Sequence, residues 1–181
     1  MPEEYLALER RAEYKNEYFD GEIFAMVGAS RKHNLIKTNI TRELSQRLKN
    51  KPCEVYPGDM RIRIPKANIY TYADITVACG QPEFEDAELD TLLNPDLIVE
   101  VLSKSTASYD RRRKFAFYRT VESLTHYILV SQEALHVEHY GRQPDNRWLL
   151  SDYRSTEDVV TLDSLGCSLP LTEIYDKVSM L

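Results

Sequence analysis

Cysteine is scarce: Cys53, Cys79 and Cys167 are odd in number and far apart in the chain. They form no CxxC pair, no zinc pattern and no disulfide framework, so a reduced, cytoplasmic protein is expected. The six glycines are scattered, and no glycine-rich phosphate loop exists. No apolar run approaches the roughly 20 residues that cross a membrane. The start, Met1-Pro2-Glu3-Glu4, lacks the basic and apolar regions of a secretory signal. Internal repeats, low-complexity stretches and Ser/Gly/Pro linkers are absent. Positive charge is in deficit, with 23 Lys+Arg against 29 Asp+Glu and a net charge of −6. Coating of nucleic acid by summed charge is therefore excluded, although a local basic groove is not.

What is there is ordinary globular material, 43% apolar and 29% charged over 181 residues. One domain spanning 1–181 is expected, long enough to bury roughly 70% of its unfolded surface without a staple. Residues 3–11 read as a short charged helix and 13–27 as a hairpin turning at Asp20-Gly21. Ser30 is placed to cap a helix whose Ile36, Ile40, Leu44 and Leu48 recur every fourth residue. Strands follow near 55–56, 60–64 and 72–78, then an acidic connection over 80–95. Leu97-Ile98-Val99-Glu100-Val101-Leu102 reads as a central strand covered on both sides. A helix over 105–121 leads to strands near 125–130, 134–140, 146–153 and 158–169, with a short helix near 172–178. The order points to an α/β (α+β) fold, a mixed central sheet flanked by helices. Strands near 60–64, 72–78, 97–102 and 125–130 are expected to build that sheet.

Two carboxylates interrupt apolar strands. An unpaired buried carboxylate costs several kcal/mol or neutralises, so Glu100 needs a cation, a metal or a partner side chain. Asp74 interrupts Tyr72–Ala78 in the same way. Two such groups on neighbouring strands suit Mg²⁺, which takes one or two carboxylates plus waters and substrate phosphate. Next comes Asp110-Arg111-Arg112-Arg113-Lys114, with Asp110 and Lys114 on one helix face. Glu17 lies in the first hairpin. The bland alternatives are an outward Glu100, an Asp74 that bonds a loop, and a solvated basic helix face.

These residues occur in a familiar order: Tyr18-x-Asp20-Gly21-Glu22, Asp59-x-Arg61-Ile62, Asp74, Pro95 to Ser103, Ser105-Thr106, Asp110 and Lys114. The chain resembles the Uma-two family of restriction-endonuclease-like proteins, within the PD-(D/E)XK nuclease superfamily, over roughly residues 3 to 176. The resemblance implies a divalent cation, Mg²⁺ or Mn²⁺, held by Asp74, Glu100 and the main-chain carbonyl of Val101. It implies a lysine that orients or activates the attacking water, with Glu17 assisting a water or a second metal. Ala73 stands where the superfamily has Pro, and Leu102 where it has the motif lysine. Lys114 matches the displaced lysine, and Lys104 is its rival. Asp59 is a weaker match.

The reading that follows is a metal-dependent DNA endonuclease with catalytic residues Asp74, Glu100, Lys114 and Glu17. Arg31, Lys32, Arg61, Arg63, Arg111 and Arg112 are candidate phosphate contacts. Cutting two strands asks for two sites, hence a symmetric homodimer. A decayed relative that binds nucleic acid or protein is the second reading, and a scaffold with a buried Glu100–Lys114 pair the third. His33, in a helix first turn, is read as structural. His126 has no evident partner, and His136 and His139 fall on opposite strand faces. The stretch from Glu83 to Asp90 is read as a solvated connection, and Trp148 as core or dimer surface.

Overall fold

The computed structural model describes residues 1–26, 28–104 and 107–180. Val27 of the hairpin run, and Ser105 and Thr106 at the expected helix start, lie outside the described residues. Helix α1 (Pro2–Glu9) precedes the hairpin β1 (Asn16–Phe19) and β2 (Glu22–Ala25). Its two turn residues both have positive φ, 45° at Asp20 and 107° at Gly21, as a tight hairpin turn demands. Helix α2 (Arg31–Arg47) starts where Ser30 accepts a hydrogen bond from the His33 amide at 3.1 Å. Ile36, Ile40, Leu44 and Leu48 are all buried on one of its faces. Each contributes roughly 1.5–3 kcal/mol by leaving water.

Strands β3 (Cys53–Tyr56), β4 (Arg61–Ile64), β5 (Ile69–Tyr72), β6 (Ile75–Cys79), β7 (Thr91–Leu92) and β8 (Leu97–Leu102) follow. Next come α3 (Ala107–Tyr109), a π-helical turn (Asp110–Lys114) and α4 (Phe115–Tyr118), which run on as one helical segment. The chain ends with β9 (His126–Ser131), β10 (Val137–Arg142), β11 (Trp148–Tyr153), β12 (Val159–Leu162), β13 (Cys167–Pro170) and α5 (Leu171–Ile174).

The strands form two larger sheets where one was expected. The first has the order β2-β1-β5-β4-β7 and the second β11-β10-β9-β8-β6-β3, while β12 and β13 pair separately. Residues 60–64 therefore belong to a different sheet from residues 97–102. The expected strand over 72–78 is broken at Ala73-Asp74, where the chain leaves the first sheet and enters the second. Strand β8 is central, antiparallel to β6 and parallel to β9. Side chains alternate across it. Val99 and Val101 pack with α2, α5 and β12–β13. On the other face Ile98 and Leu102 pack with Ile62, Phe115, Tyr118 and Tyr127. Glu100 points to this second face, between Ile98 and Leu102.

Cys53 and Cys79 lie directly opposite one another in the β3–β6 ladder and are joined as a disulfide. This corrects the expectation of three reduced cysteines and removes the ground for a reducing compartment; Cys167 remains free. The two partners are 26 residues apart, so only the strand pairing brings them together. The acidic connection is not simply solvated either: Arg10 binds Asp86 at 2.7 Å and Asp90 at 2.8 Å. No helix among the described residues is long and apolar enough to cross a membrane.

Candidate active site

A cavity of about 620 Å³ opens where the two sheets, the amino end of α2 and the helical segment 107–118 meet. Asp74, Glu100, Val101, Lys114 and Glu17 all line it. Each arrives by a local cause: Glu100 by strand alternation, Asp74 by the sheet switch, Glu17 from β1. Lys114 arrives through the π-helical turn, in which both Asp110 and Lys114 are buried.

Lys114 Nζ lies 2.8 Å from Glu100 Oε1 and 3.5 Å from Glu17 Oε1, and donates to the Tyr72 carbonyl at 3.1 Å. Tyr118 donates its hydroxyl to the same Glu100 oxygen at 3.2 Å. Glu17 accepts from the Thr71 hydroxyl and, at 3.4 Å, from the Tyr72 amide. Lys104 stays away: its side chain is exposed and faces Glu133 at 3.6 Å. The structure thus brings Lys114, and not Lys104, to Glu100.

Asp74 Oδ2 accepts from the Val101 amide at 2.7 Å and bonds His33 Nε2 at 3.0 Å. Burial would raise the Asp74 carboxyl, but the His33 bond and the Val101 amide outweigh it and hold it below its usual range. Glu100 goes the other way. Burial pushes it up to about 8, with the charges of Asp74 and Asp110 adding to the rise and Lys114 opposing it. Burial also works against the Lys114 charge, yet Glu100, Tyr118 and Glu17 around it hold the ammonium well above its usual range. The site therefore holds a cation, one ready carboxylate and one carboxyl whose charged form wants more positive charge.

That donor set fits a hard divalent cation. Glu100 and Asp74 are oxygen donors on one cavity, and their mutual repulsion is what a bound cation relieves. Among the described residues no three His, Cys, Asp or Glu side chains gather as a metal site. A two-carboxylate site completed by main-chain and water oxygens matches Mg²⁺ rather than zinc.

The six basic residues proposed to touch phosphate divide. Arg61 is buried; its Nη2 lies 2.7 Å from Asp90, and its Nε donates to Thr91 at 3.0 Å. Arg63 stacks on Tyr70 at 4.3 Å and faces Glu85 at 3.7 Å. Arg111 lies 2.6 Å from Glu138. These three are each engaged by an acidic partner within the protein. Arg31 and Arg112 are exposed and Lys32 half-exposed. Asp59 pairs with Lys15 at 2.8 Å, at the rim.

His33, read above as structural, lines the cavity and bonds Asp74. Its signal was its place three residues after the capping Ser30, with Lys37 one turn further on the same face. Lys15 and Lys37 also line the cavity, and no local pattern marked them. His126 does have partners, His139 Nε2 at 2.9 Å and Ser164 Oγ at 2.8 Å. His136 bonds Asp152 at 2.6 Å. Trp148 packs edge-on to Phe115, 5.3 Å between ring centres. A second hollow of about 440 Å³, beside Ile64 and Val121, brings together none of the residues implicated above.

A mixed α+β sheet with this cavity at the sheet switch defines a restriction-endonuclease-like protein. The chain belongs to the Uma2 family, described as "Putative restriction endonuclease", whose family model matches residues 2–172. It is similar to the uncharacterized protein sll1609 of Synechocystis sp. (strain ATCC 27184 / PCC 6803 / Kazusa), 40% identical over 149 residues, 82% of this chain and 84% of that protein. The uncharacterized protein slr1290 of the same organism is 37% identical over 174 residues, 96% of this chain and 90% of its own length. A crystal structure of "a putative nuclease belonging to DUF820" from Anabaena variabilis superposes with a TM-score of 0.81. The two chains are each covered to 98% and are 16% identical, a likeness of fold.

Proposed function

We propose that this protein is a divalent-metal-dependent endonuclease that hydrolyses phosphodiester bonds in DNA. The observation that carries the reading is Lys114 Nζ at 2.8 Å from Glu100, in the cavity that Asp74 also lines. Asp74, Glu100 and the Val101 main-chain carbonyl would hold Mg²⁺ or Mn²⁺. The ion supplies Lewis-acid polarisation of the scissile phosphate. Lys114 orients the attacking water and places positive charge where negative charge develops. Glu17 and Tyr118 hold the lysine and its partner in place, and Glu17 is the further acid beside the water. His33 and the Val101 amide fix one oxygen of Asp74. Arg31, Lys32 and Arg112 extend the phosphate contacts outward. Two copies in a symmetric homodimer would supply the two sites that cutting both strands requires.

The test is calorimetric titration of Mn²⁺ into the wild type and the Asp74→Ala, Glu100→Ala double variant, with plasmid nicking by both. Saturable binding and metal-dependent nicking, each lost in the variant, are expected. Equal binding in both proteins would sink the assignment. Leu102, at the position of the strand lysine, favours a second reading: a decayed relative that binds nucleic acid without cutting it. Binding that needs no metal, with no nicking, would select that reading.

A further inference from the structure

Three lysines and a histidine line the cavity: Lys15, Lys37, Lys114 and His33. Three are engaged. Lys114 binds Glu100, His33 binds Asp74, and Lys15 takes Asp59 and the Gly58 carbonyl, at 2.8 and 2.9 Å. The Lys37 ammonium makes no hydrogen bond or ion pair with any described residue. It is nevertheless not splayed into water, because it lies half-buried over the turn at Gly58.

The turn is shaped to receive it. Gly58 has φ +78°, and a Cβ built there would fall 2.0 Å from Lys37 Nζ and 3.6 Å from the Asp74 main-chain oxygen. The ammonium thus occupies the space a side chain at position 58 would fill, beside the backbone of the candidate metal ligand. His33 and Lys37 are four residues apart on α2 and share its cavity face. One fixes Asp74 and the other brings an unbonded ammonium near its backbone. A half-buried ammonium that none of the cavity's four acidic side chains, Glu17, Asp74, Glu100 and Asp110, binds is open to an anion from outside the chain.

We propose that Lys37 is a substrate-binding residue that grips a backbone phosphate next to the one cleaved, and that glycine at position 58 makes the room for it. This rests on the nuclease reading above and adds to it a named phosphate contact. An ammonium is a point charge suited to a phosphate oxygen without sequence preference. Lys37 therefore acts in binding, and its loss is felt in KM rather than kcat.

The experiment is fluorescence anisotropy of a labelled duplex and its single strand, in Ca²⁺ to support binding without turnover. The proteins are wild type, Lys37→Met, Lys37→Arg and Gly58→Ala, each checked by thermal melting. Lys37→Met is expected to bind about tenfold more weakly at low salt with an unchanged melting temperature. Its slope of log affinity against log salt should fall by about one, the signature of one lost phosphate contact. Lys37→Arg should restore most of the affinity, and Gly58→Ala should weaken binding as Lys37→Met does. Wild-type affinity and salt slope in Lys37→Met would overturn this inference and leave the nuclease reading standing. No binding of either nucleic acid by the wild type would overturn both.

Discussion

Arg61 and Lys114 are both buried cations, 3% and 7% exposed, and their surroundings differ in kind. Arg61 sits in a closed network with Asp90, Thr91 and the Tyr72 hydroxyl, and Arg10 closes the outer side of Asp90. Arg10 and then Arg61 hold Asp90 well below the usual carboxylate range. Of this network only Tyr72 also lines the cavity, and neither Arg61 nor Asp90 does. Lys114 faces Glu100 and Glu17 from the wall of that cavity, and Glu100 is pushed up to about 8. An arginine cannot shed its proton, so the first cluster must stay charged and paired. A glutamate can take one up, so the second cluster has a neutral alternative. Of the two buried clusters, the one at the cavity is the one that meets open space and has a member able to titrate.

The sharpest way to break this contrast is to remove one partner from each cluster. Asp90→Ala strands the Arg61 charge in the interior and should cost about 3–5 kcal/mol in chemical denaturation. A loss below about 1 kcal/mol would show that Arg61 has another route to water. Lys114→Met should lower plasmid nicking by about 10²–10³-fold, the scale for losing one stabilising group at a reacting centre. Its stability at neutral pH should fall less than that of Asp90→Ala, because Glu100 answers by protonation. Full nicking with a larger stability loss would instead make Lys114 a structural cation like Arg61.

A third buried polar group sharpens the comparison at smaller amplitude. Burial holds both His126 and His139 down to about 4, from an ordinary 6.5. Between those values the unfolded chain binds more protons than the folded one. Stability is therefore full above about 6.5 and declines as pH falls toward 4, by up to about 3 kcal/mol for each imidazole. Urea midpoints across that window should trace the decline, and His139→Gln should flatten it. Parallel curves for the two proteins would remove the pair from the acid response.

Much of the frame was legible locally. Asp20-Gly21 announced the hairpin, the four-residue apolar spacing announced α2, and Glu100 stood out because its strand was otherwise apolar. Local spacing could not reveal long-range partners. Arg61 and Arg63 alternate with apolar residues as surface charges would, yet Asp90 and Glu85 come from a distant connection. Tyr72 to Ala78 reads equally well as one strand or as two that change sheets, since both keep the same apolar content. His33 and Lys37 gain meaning only when α2 is laid beside Asp74. The resemblance already favoured Lys114 over Lys104, and the path of the helical segment brings Lys114 to Glu100.

That segment has a consequence for mutational tolerance. Substitutions at exposed Arg112 and Arg113 leave its course alone. The wide turn over Asp110–Lys114 holds one more residue than a regular α-helical turn would. Inserting one residue more there, beyond the one the wide turn already absorbs, would rotate one side of the segment against the other by roughly 100°. Lys114 and Tyr118 would then swing off the Glu100 oxygen they share. The length of this segment, more than the identity of its arginines, is what natural variation in the protein must preserve.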